Sequence, residues 1–97
     1  MRMIINKCYG GFELSDEFIA KYPQFEEMRF TNEESLRVSD MLISAIEEFG
    51  IDKAGGRYGT KLKIVEIPNE ATDYEIDEYD GAESVICVVD GKIQHIY

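Results

Sequence analysis

The chain has 97 residues, 44% of them hydrophobic, with 20 acidic against 10 basic residues and a formal net charge of −10. So anionic a surface repels nucleic acid and anionic lipid and is drawn to basic grooves, so direct binding to DNA, RNA or membrane is not expected. The length fits one domain, 1–97, and six Tyr with five Phe argue against a disordered acidic chain.

Met3 to Cys8 is short and apolar and runs into Gly10-Gly11, which predicts a first strand and a tight turn. Ser15 then reads as a helix N-cap, with Asp16 and Glu17 at the positive end and Leu14 stapling onto Ile19. Pro23 stops this helix after about two turns. From Gln24 to Leu36 the pattern is polar and aperiodic, which predicts a loop with one short extended piece. Ser39 caps a second helix, whose apolar stripe is Met41, Leu42, Ala45, Ile46 and Phe49 and whose closing residue is Gly50.

Asp52 to Lys63 is a glycine-punctuated connection carrying Lys53, Arg57, Lys61 and Lys63, the only basic cluster in the chain. Cradling a phosphate is one reading. With no helix predicted directly after it, a connection that balances neighbouring acids is the favoured one. Leu62 to Ile67, Tyr74 to Tyr79, Ser84 to Val89 and Lys92 to Tyr97 read as strands, with turns at Asp80-Gly81 and Asp90-Gly91. The predicted class is α+β: one small antiparallel sheet of about four to five strands with two helices packed on one face.

Catalysis lacks its usual parts. There is one histidine, His95, and no nucleophile elbow, phosphate loop or His-Glu-x-x-His helix, so no enzyme is expected. Cys8, Cys87 and His95 with one carboxylate would suit zinc if their strands are neighbours. Two buried cysteines and a surface histidine are the plainer alternative. No other cofactor is implied, and Asp77 to Glu83 lacks the alternating oxygen ligands of a calcium loop.

Nine carboxylates and no Lys or Arg lie between Ile64 and Gly91. On a strand, Glu75, Asp77 and Tyr79 share a face at steps of about 6.8 Å. That is about two steps of the roughly 3.4 Å phosphate rise along a DNA strand. The candidate partner-binding residues are therefore Glu66, Tyr74, Glu75, Asp77, Glu78, Tyr79, Asp80 and Glu83, set against a basic groove. The alternative is acidity that serves solubility alone.

Two segments carry a resemblance. Ile5-Asn6-Lys7-Cys8-Tyr9-Gly10-Gly11-Phe12-Glu13-Leu14-Ser15 resembles the opening of a family of small uncharacterised proteins encoded by phages and prophages of bacteria. Lys63 to Pro68 and Tyr74 to Glu83 resemble its second half, while the tail Val88 to Tyr97 departs from it. The resemblance implies a phage-encoded inhibitor of host machinery. Anti-CRISPR proteins are one such group, which makes a Cas effector such as Cas9 the candidate partner. Such a protein would act in the host cytoplasm, as monomer or small homo-oligomer, with both cysteines reduced. No signal-peptide-like stretch opens the chain, and its longest apolar run, Val85 to Val89, is too short to span a bilayer.

Overall fold

The computed structural model describes residues 1–56 and 60–97. Arg57 and Tyr58, in the basic connection, lie outside the described residues. Among the described residues, five strands and four α-helices form, with the strands in two separate antiparallel sheets. The first sheet pairs β1 (Arg2–Asn6) with β2 (Leu62–Glu66). The second is a meander of β3 (Asp73–Tyr79), β4 (Ala82–Val89) and β5 (Lys92–His95). The mixed α+β class therefore holds, but the strands do not join into one sheet with two helices on one face.

The β1–β2 ribbon is the middle layer. Ile4 and Leu62 are buried in a cluster with the helices, together with Phe18, Leu42, Ile43 and Ile46. Their neighbours Met3, Ile5, Val65 and Ile67 point the other way and pack with Val85 of the meander. Alternation along a strand divides these residues between two cores, which is why Met3-Ile4-Ile5 is an unbroken apolar run.

The helices follow their caps. In α1 (Asp16–Lys21) the Ser15 hydroxyl accepts from Phe18 N–H at 3.1 Å. Pro23 ends α1 and opens a 3-10 helix, Pro23–Met28, in the segment expected to be a loop. Most of α2 (Glu34–Arg37) also falls in that segment, where Glu33 is extended but no β-strand forms. In α3 (Asp40–Phe49) Ser39 caps Leu42 N–H at 3.3 Å, and α4 (Ile51–Ala54) follows Gly50. The buried face of α3 is Leu42, Ile43, Ala45 and Ile46, whereas Met41, expected in the stripe, is 74% exposed. Leu42, Ala45, Ile46 and the half-buried Phe49 lie in the stripe as expected, and Ile43 stands in it where Met41 was expected.

Both hairpins of the meander turn on an Asp-Gly pair. Asp80 and Gly81 have φ of 51° and 89°, and Asp90 and Gly91 have 52° and 75°, the positive values of a type I′ turn. The first turn is also docked. Gly10 N–H donates to Asp80 C=O at 3.2 Å, and the Asn6 amide donates to Gly81 C=O at 2.7 Å.

Candidate functional site

Register decides which acids share a surface. Across the meander, Asp73 faces Val88 and then Ile93, while Glu75 faces Ile86 and then His95. Val85 and Cys87 are buried, so their neighbours Ser84, Ile86 and Val88 form the outward face of β4. The outward face of β3 is then Asp73, Glu75, Asp77 and Tyr79, with Tyr79 73% exposed. Among the described residues no cation pairs with Asp73, Glu75 or Asp77. The three carboxylates form an uncompensated row along one edge of the sheet.

The remaining sequence candidates lie elsewhere. Tyr74 is on the inward face and packs against the core with Ile76. Glu78 is also inward, and its carboxylate accepts from Gly81 N–H in the hairpin turn. Asp80 is at the exposed tip of that turn. Glu66 shares the helix-facing side of the ribbon with its cross-strand neighbour Arg2, whose guanidinium donates to Glu47 of α3 at 2.9 Å. It stands apart from the acidic row.

Glu83 corrects the reading most sharply. It is 7% exposed, and its carboxylate takes two parallel hydrogen bonds from fully buried Arg37, at 2.7 and 2.8 Å. The same guanidinium donates to Ile4 C=O at 3.2 Å and Thr31 C=O at 2.9 Å, and lies 3.6 Å from the Phe12 ring centroid. Glu83 also accepts from Asn6 N–H at 2.8 Å. A carboxylate so engaged is internal structure, closed to a partner.

The proposed zinc ligands do not converge. Cys87 faces the core opposite Gln94, whereas His95 faces outward opposite Ile86, so one sheet separates them. Among the described residues no group of three His, Cys, Asp or Glu side chains could hold a metal ion. Lys63, the basic residue of that segment on β2, does not cover the acidic row either. Lys63 ammonium lies 5.3 Å from the Tyr97 ring centroid, beyond β5, while the row is on β3 at the opposite edge of the meander.

A cleft of about 330 Å³ lies between the loop before α2 and the first hairpin, lined by Phe12, Asn32, Glu34, Ile76, Glu78 and Glu83. Glu34 accepts from Ile76 N–H at 3.3 Å, so this acid covers a backbone donor on the free edge of β3. All three acids of the cleft thus serve backbone or buried partners. Among the described residues no helix is long and apolar enough to cross a membrane. No family model, curated protein or solved structure matches the chain.

Proposed function

We propose that the chain is a non-enzymatic binding protein that sets the outward face of its meander against a basic surface. The observation that carries this is the row Asp73, Glu75 and Asp77, ordered on one strand face and unpaired within the described residues. Same-face carboxylates about 6.8 Å apart approximate alternate phosphates of a nucleic-acid strand. Tyr79, exposed at the end of the row, supplies an aromatic anchor.

The resemblance to phage-encoded proteins makes the partner class a host nucleic-acid-handling protein, and a Cas effector the first candidate. A competition assay tests this. The chain should displace DNA or RNA from a Cas effector or another host nucleic-acid-binding protein, with an affinity that falls as salt rises. Asp73→Lys with Glu75→Lys and Asp77→Lys should abolish the displacement. If the triple variant competes as well as the parent at low salt, the acidic row is not the contact.

A further inference from the structure

We propose that the outward face of the meander receives an amphipathic basic helix of the partner, its cations on the β3 carboxylates and its apolar side chains on β4 and β5. This rests on the binding role assigned above and specifies what that basic surface looks like. An antiparallel sheet with one wet face usually alternates apolar inward and polar outward. The central strand β4 departs from that pattern. Its inward side is Glu83, Val85 and Cys87, and its outward side, apart from Ser84, still carries the apolar Ala82, Ile86 and Val88. Ile93 on β5 adds a side chain that is 69% exposed.

The acids and the aliphatics are arranged in columns. Asp73 and Glu75 lie one strand step, about 4.8 Å, from Val88 and Ile86. A cleft of about 80 Å³ opens at this seam, where Asp73 and Glu75 meet Ile86, Val88 and Ile93. A column of charge beside a column of apolar atoms is the complement of an amphipathic helix. Residues at i and i+4 of a helix rise about 6 Å, close to the 6.8 Å step of the carboxylates. A helix body about 10 Å wide covers two strand spacings, so it reaches the acidic and apolar columns together.

Other occupants fit less well. A second copy of the chain would bring the same three carboxylates to the same face. An extended strand added beside β3 meets Glu34, which already takes the Ile76 N–H on that edge. A nucleic acid or an anionic membrane is repelled by the row.

The test uses two synthetic peptides of about 18 residues with identical Lys and Leu content. One places Lys and Leu in adjacent helical stripes, and the other scrambles them. Anisotropy gives their affinities for the intact protein, and backbone amide shifts map the contact. The striped peptide should bind at least about tenfold tighter than the scrambled one. Val88→Thr with Ile93→Ser and, separately, Glu75→Lys with Asp77→Lys should each remove that advantage. The shifts should fall on outward positions of β3, β4 and β5. Equal binding of both peptides, with the Val88/Ile93 variant unaffected, would overturn the helix and leave an electrostatic contact standing. Shifts confined to the free edge of β5 would replace the helix with an added strand. If neither variant changed the striped peptide's binding, the helix and the acidic contact would fall together.

Discussion

Arg37 and Glu83, 46 residues apart, close the free edge of β1 with side chains where a sheet would use another strand. The ribbon pairs through Met1 with Ile67 and Lys7 with Lys61, so alternate residues Ile4 and Asn6 turn their backbone groups away from β2. Arg37 donates to the Ile4 C=O, and Glu83 accepts the Asn6 N–H. Both backbone groups are thereby satisfied inside the protein, and β1 is shut to further pairing. The split into two sheets follows from this: the first hairpin of the meander meets β1 through a carboxylate, not through a ladder.

This role predicts an unusual double-mutant cycle. Arg37→Met alone should cost about 3–5 kcal/mol, because Glu83 is left charged and buried. Replacing both partners by apolar residues often restores stability at a buried pair. Here Arg37→Met with Glu83→Leu orphans two buried backbone groups, at about 1–3 kcal/mol each. Urea unfolding should therefore find the double variant well below the parent. Recovery of parental stability would mean that the pair does not cover the β1 edge.

The two hairpin glycines separate strain from contact. Both Gly81 and Gly91 have positive φ, which an alanine adopts at a cost of about 1–2 kcal/mol. A Cβ on Gly81 would also stand 2.2 Å from Gly11 N, a backbone atom, while one on Gly91 would meet nothing within 4 Å. Gly81→Ala should thus lose clearly more stability than Gly91→Ala in the same unfolding assay. Equal losses would show that the first turn is not packed on the Gly10-Gly11 loop.

How much of this is written in the sequence differs from element to element. The hairpins are legible because Asp-Gly is a local signal for positive φ, and Ser39 announces α3 in the same local way. The segment 24–36 is not, because its α2 is fixed by Arg37 reaching Ile4 and Glu83 from afar. Nothing in a run of acids marks Glu83 as the buried one. Tyr74 is a different case: it is five positions from Tyr79, an odd separation that puts the two on opposite faces of a strand. That signal was available in the residues themselves.

Tyr22 should titrate late. It packs against Phe18 at 5.0 Å between ring centroids and against Phe49 at 6.4 Å. Burial raises its phenol above the usual range, and the Glu48 carboxylate adds to the rise. A folded pKa above the unfolded one holds a proton that the unfolded chain releases sooner. Its contribution to stability is complete below about pH 10 and is lost as pH rises beyond that. An ultraviolet titration should show a late phenol ionisation, and Tyr22→Phe should delete that step. An unchanged curve in the variant would assign the late proton elsewhere.

The acidic row should weaken the fold as well as serve binding. Asp73, Glu75 and Asp77 repel one another along one strand face and have no cation within the described residues. Their outward side chains contribute nothing to either buried cluster. Changing all three to Asn, Gln and Asn should therefore hold or raise the thermal midpoint at low salt, and the difference should shrink as salt screens the parent. The same variant should lose the proposed partner. Stability conserved with binding lost is the signature of a functional surface, whereas a drop in stability would mean that the row is part of what holds the meander together.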